Sequence, residues 1–167
     1  MGTLADLLYY RFNRTGGIFD LDEAIQMRKQ IVSSTPKTQN GRPGYLNNLA
    51  NLLLARNTRS GALSDLVEAI DLIRQGIKDT PKGNVYRGSM LATLAAILGT
   101  KAVQTSDDKD LKEAIKIAQE AVDTAPSNFP DRYSLLSNLG THLAESYSQT
   151  KSPTDMEKAK ESFISAI

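Results

Sequence analysis

The chain has no cysteine, no tryptophan and one histidine among its 167 residues. Without cysteine there is no disulfide, no thiolate metal site and no cysteine nucleophile. One histidine cannot supply the His pairs or His/Cys sets that hold zinc. No run of about 18 apolar residues occurs, so the sequence offers no membrane-spanning helix. Its start, Met1 to Leu8, lacks the basic region and long apolar core of a secretory signal. Gly2 follows Met1, but Asp6 stands where an acylation signal needs Ser or Thr. Asn13-Arg14-Thr15 has the letters of a glycosylation sequon, which means little without a secretory signal. Excess charge of one sign is missing too: 20 Lys and Arg face 19 Asp and Glu, with no block of like charges. That balance opposes a nucleic-acid partner and a membrane-surface partner. The expectation is a cytoplasmic protein without a cofactor.

What is present is a repeat. Leu21-Asp22-Glu23-Ala24-Ile25 returns as Leu66-Val67-Glu68-Ala69-Ile70 and as Leu111-Lys112-Glu113-Ala114-Ile115, with a worn copy at Met156-Glu157-Lys158-Ala159-Lys160. Each step is 45 residues (66 − 21, 111 − 66, 156 − 111). Leu4, Leu49, Leu94 and Leu139 keep the same step, as do Asp20, Asp65, Asp110 and Asp155, and Pro36, Pro81 and Pro126. A fixed period over a whole chain is the mark of a stacked-repeat architecture.

Each period reads as two helices. In the second, Leu66, Ala69, Ile70, Ile73 and Ile77 recur at helical spacing. Asp20, Asp65 and Asp110 precede an apolar residue, with Glu23, Glu68 and Glu113 three places on; this spacing predicts a capping box with Asp as the N-cap. The in-phase prolines end these helices. In the first helix, Leu46, Leu49, Ala50 and Leu53 share one face, as do Leu91, Leu94, Ala95 and Leu98, and Leu136, Leu139, Gly140 and Leu143. Polar turns, such as Arg59-Ser60-Gly61, separate the two helices. The pattern predicts helices near 2–14, 20–34, 43–58, 65–79, 86–104, 110–124, 131–149 and 155–167. Ala24, Ala69, Ala114 and Ala159 are expected to face Ala5, Ala50, Ala95 and Gly140, where small side chains let the two helices approach closely.

These residues resemble the tetratricopeptide repeat (TPR). Leu136, Leu139-Gly140 and Leu143 match the family's first helix, Asp22 to Ile25 its second, and the interval of 12 from Ala24 to Pro36 its closing spacing. Asn48-Leu49-Ala50-Asn51 looks like the family's Asn-Leu-Gly-Asn. The period exceeds the family's usual length of about 34 residues. Seven of the extra residues fall around the turn and four in the linker. Long units of this kind resemble arrays beside CHAT-type peptidase domains and in NOD-like receptors. The resemblance implies an all-α, right-handed α-α superhelix: one array over 1–167, with repeats at 1–36, 37–81, 82–126 and 127–167. Met1 and Ile167 both fall inside helices of the repeat frame, so the expectation is a fragment of a longer array.

The implied function is a protein-interaction scaffold, not an enzyme, with a protein or peptide in a concave groove lined by first helices. Projected onto the pattern, that groove presents Asn47, Asn48, Asn51, Ala55, Ser89, Thr93, Ala96, Ser137, Asn138, Thr141 and Glu145. Asparagine offers both donor and acceptor to a peptide backbone; the competing use of Asn48 and Asn138 is a local bond within the array. The alternative function is self-association, with open apolar ends stacking copies end to end. His142 replaces Leu7, Leu52 and Ile97 and is read as structural. The Glu23, Glu68 and Glu113 row is read as capping, not acid–base chemistry.

Overall fold

Alternating stretches of helix formers and short breakers fold as their period predicts. The computed structural model describes residues 4–125, 129 and 131–166. Among them are eight helices and no strand: α1 (Leu4–Thr15), α2 (Ile18–Ser34), α3 (Arg42–Ser60), α4 (Leu63–Asp79), α5 (Val85–Thr105), α6 (Asp108–Thr124), α7 (Arg132–Thr150) and α8 (Pro153–Ser165). Pro126, Ile167 and residue 2, where the first helix was expected to start, lie outside the described residues.

The chain divides into two compact units, Met1–Arg87 and Gly88–Ile167. In the first, α1 packs on α2, α2 on α3 and α3 on α4. In the second, α6 packs on α7 and α7 on α8. The apolar stripes form the core of each unit. Leu21, Leu46, Leu49, Leu53, Leu66 and Ile73 are buried in one, and Leu91, Leu94, Leu98, Leu111, Leu139 and Leu143 in the other. The small-residue series is buried throughout: Ala5, Ala24, Ala50, Ala69, Ala95, Ala114, Ala159 and Gly140. At Gly140 the space of a Cβ is taken by the Phe163 ring, 2.9 Å away.

The turn within each period carries a backbone signature. Gly16, Gly61, Ser106 and Lys151, spaced by 45, have φ of 71°, 73°, 54° and 58°. This left-handed conformation ends a helix cleanly and favours glycine. Two repeats meet it with a side chain, which costs roughly 1–2 kcal/mol. Lys151→Gly should therefore raise stability by about 0.5–1 kcal/mol, glycine's extra chain entropy offsetting part of the gain. A urea titration reads this, and a midpoint below the parent's would overturn it.

The helix starts correct the capping-box expectation. α2, α4 and α6 begin three residues earlier than Asp N-caps would require, so their N-caps are Gly17, Ala62 and Asp107. Of the second helices, α6 and α8 have a side-chain cap, from Asp107 and Ser152; at the start of α5 the Asn84 Oδ1 accepts from the Tyr86 N–H at 2.9 Å. Asp20, Asp65 and Asp110 lie in the first turn and reach back to the preceding helix. Arg11 Nε and Nη2 donate to Asp20 at 2.6 Å each, and Arg56 Nε and Nη2 donate to Asp65 at 3.0 and 2.7 Å. Lys101 pairs with Asp110, and the Ser146 hydroxyl donates to Asp155 at 2.7 Å. Residues 11, 56, 101 and 146 thus form a series of their own, locking each hairpin across its turn. The guanidinium of Arg11 holds the Asp20 carboxyl below its ordinary range. Of the Glu series, Glu68 pairs with Lys29 across repeats at 2.7 Å.

A second series closes the linkers. Thr35, Thr80 and Ala125 are extended, as residues before proline must be, which leaves the last carbonyls of α2, α4 and α6 without helical donors. Arg42 Nε donates to Thr35 O at 3.1 Å. Arg87 Nη1 donates to Ile77 O at 2.9 Å, and Arg132 Nη1 to Val122 O and Ala125 O at 3.0 and 3.1 Å. The cation also suits the negative end of a helix dipole.

Candidate protein interaction site

First helices that lie side by side leave a trough where their facing side chains are small. Each unit has one. In the first unit, α1 and α3 border a cavity of about 490 Å³ lined by Asp6, Tyr9, Arg28, Asn48, Asn51 and Ala55, among others. In the second, α5 and α7 border a groove of about 390 Å³, lined by Ala96, Gly99, Val103, Thr141, His142 and Glu145, among others. The two are related by twice the period: Tyr9 corresponds to Gly99, Asn51 to Thr141 and Ala55 to Glu145.

Asn48 and Asn51 are exposed at the first cavity and make no side-chain hydrogen bond among the described residues. Asn47 is half-buried, with its Oδ1 enclosed and unbonded. Ala55, Ser89, Ala96, Ser137, Asn138 and Glu145 are half-buried, and Thr141 is exposed. The structure brings Asn48, Asn51 and Ala55 together in one trough and Ala96, Thr141 and Glu145 in the other. Thr93 departs from the expectation: it is buried, at 8% exposure. It stands one turn from Met90 and from Ile97, both fully buried, and so falls on the core stripe of α5.

Pattern projection missed the charged wall of the first cavity. Arg28 is 3% exposed and pairs with the half-exposed Asp6. The signal was available, because Arg28 interrupts an otherwise apolar series of Ile73, Ala118 and Phe163. A buried cation is tolerated only with a partner. Projection also missed Gly99. The His142 ring lies against it, so that a Cβ there would come within 2.6 Å of Nδ1. His142 Nε2 is buried without a bonding partner, and burial pushes the imidazole pKa below its ordinary 6.5. The neutral ring is the form present at pH 7. Arg74 and Lys116 are exposed, and Lys29 is half-buried in its pair with Glu68.

Helical hairpins in 45-residue register, with interaction-sized troughs between first helices, define a helical-repeat protein of the TPR-like solenoid class. Within it, residues 44–77, which span most of α3 and α4, match the tetratricopeptide repeat model. No curated protein matches the chain in sequence. Among solved structures, the nearly identical TPR-like repeats of a Podosopora anserina kinesin-light-chain candidate align at TM-score 0.60 and 15% identity, covering 95% of this chain and 72% of that one. The DHF58 filament aligns at 0.55 and 16%, covering 97% and 87%. The de novo designed helical repeat protein DHR64 aligns at 0.53 and 16%, covering 98% and 88%. At these identities the likeness is one of fold. No described helix is long and apolar enough to cross a membrane.

Proposed function

We propose that the chain is a non-catalytic, cytoplasmic scaffold that holds an extended peptide or a partner domain along its first helices. TPR-like folds generally serve protein interaction, and the observation that carries the reading here is the exposed pair Asn48 and Asn51. Their amides line a cavity of about 490 Å³ without bonds among the described residues, on a scaffold whose buried polar groups are mostly satisfied. An amide can donate to a peptide carbonyl and accept from a peptide N–H, which suits recognition of backbone. A setting beside a receptor or CHAT-type peptidase domain belongs to the same reading. Asn51→Leu should weaken a peptide selected from a display library by about tenfold, the loss of one or two hydrogen bonds, with no shift in melting temperature. Undiminished binding would remove Asn51 from the site.

A second reading, self-association, has an observation of its own. Leu4 and Leu7 are 54% and 63% exposed, whereas their repeat equivalents Leu49 and Leu52 are 1% and 5% exposed. Apolar positions that a neighbouring repeat covers elsewhere are open on α1, and such a patch favours association. On α8, however, exposed Lys160 replaces the Ile25, Ile70 and Ile115 series, which opposes stacking there. Light scattering over a concentration series, with Leu7→Glu as control, separates the two readings: a mass that is constant and unaffected by the substitution excludes self-association.

A further inference from the structure

The groove between α5 and α7 differs in chemistry from its counterpart in the first unit. Its walls are Ala96, Gly99, Val103 and Leu111, with Val103 60% exposed, so it presents an apolar hollow in place of the amide and ion-pair lining around Asn51. Gly99 stands where the equivalent positions carry Tyr9, Leu54 and Ala144, and the missing side chain leaves room for the His142 ring. The hydroxyls there are already committed: Thr100 donates to Ala96 O and Thr141 to Ser137 O, each at 2.9 Å. Two groups are not. His142 Nε2 is enclosed with no partner. Glu145, the one ionised side chain among the lining residues, accepts from Gln149 at 3.1 Å and has no cation beside it among the described residues.

We propose that this groove is a side-chain pocket for an aliphatic residue followed by a lysine or arginine in an extended peptide. The inference rests on the reading of the first helices as a peptide site. The aliphatic side chain covers Ala96, Gly99 and Val103, and the basic residue pairs with Glu145 at the rim. His142 closes the pocket wall against Gly99. A protonated imidazole would set a charge against the apolar side chain. Glu145 is the only other ionisable group lining the groove, so the acid loss is assigned to the histidine.

The test is an amide NMR titration of the whole chain with acetyl-Gly-Leu-Lys-Gly-amide and with versions carrying Ala for Leu or Glu for Lys. The Leu-Lys peptide should move the amides of residues 96–104 and 141–145 saturably. Either replacement should weaken binding about tenfold, the usual scale for emptying an apolar pocket or reversing a charge contact. Acidification through the depressed range in which His142 gains its proton should weaken it. Glu145→Gln should erase the preference for Lys over Glu, and His142→Leu should keep binding while removing most of the acid loss. Equal binding of all three peptides overturns the proposal. If the peptides instead move only the amides around Asn48 and Asn51, this pocket assignment fails and the first-helix reading stands. If no peptide moves any first-helix amide, both fail.

Discussion

Ala69→Trp should abolish cooperative folding of the first unit. Ala69 and Ala50 are both fully enclosed, among the fully buried Leu46, Leu49, Leu53, Leu66 and Ile73. The space at Ala69 ends at a methyl group, so an indole can enter only by forcing α3 and α4 apart. Overpacking of a tight core costs about 1–3 kcal/mol for a few added carbons, and this substitution adds a whole bicyclic ring. Domains of this size have roughly 5–15 kcal/mol in hand, and a repeat unit has few contacts to redistribute the strain. Circular dichroism should show a broad, early melt, and amide spectra should lose the dispersion of residues in α3 and α4. A sharp transition at the parent's temperature would mean that the small-residue series is not a packing requirement.

Asp65→Ala should destabilise by about 2–3 kcal/mol, well beyond the ~1 kcal/mol lost with a helix cap. The carboxylate is 5% exposed and receives two bonds from Arg56, whose guanidinium is 24% exposed. Removing one member of an enclosed pair leaves the other's charge uncompensated, which costs about 3–5 kcal/mol when both are buried. Asp22 also bonds Arg56, at 2.9 Å, and retains part of that compensation. The same truncation at Asp20 should matter less, because its partner Arg11 is 62% exposed and such pairs contribute little. Replacing both Arg56 and Asp65 by Met and Leu should cost less than Asp65→Ala alone, since the only carboxylate left without its partner is the half-exposed Asp22. Melting temperatures of the four proteins check the order. Equal shifts for Ala69→Trp and Asp65→Ala would contradict the ranking of packing above pairing.

The fold was legible because the 45-residue step and the apolar stripes say the same thing twice. Every expected helix is present, and its described ends fall within two residues of the expected ones. The Asp series was legible as a series and misleading as a role. Read locally, Asp20, Asp65 and Asp110 look like caps, since Asp before an apolar run with Glu three places on is the capping pattern. Their partners Arg11, Arg56 and Lys101 lie nine residues upstream on another helix, beyond the reach of a local rule. The period itself contained the answer, as did the linker arginines 42, 87 and 132. The trough lining was legible where it follows helix facing, as at Asn48, Asn51 and Thr141. It failed at Thr93, where the polar side chain falls on the buried stripe. It also missed Arg28, which reaches the cavity from a second helix.

The left-handed turn, the lock across it and the linker latch share one property: each is internal to a short stretch of chain. Arg56 reaches Asp65 nine positions on, and Arg87 reaches Ile77 ten positions back. Among the described ion pairs, Arg56–Asp22 and Lys29–Glu68 reach further and join neighbouring copies, and Arg28–Asp6 joins the two helices of one hairpin. A tandem copy of one period therefore carries its own fasteners wherever it is inserted. An array built this way can lengthen or shorten by whole periods through unequal recombination without a new compensating mutation. The residues free to diverge between copies are then the trough linings, and Asn51 against Thr141, or Tyr9 against Gly99, shows that divergence within a single chain.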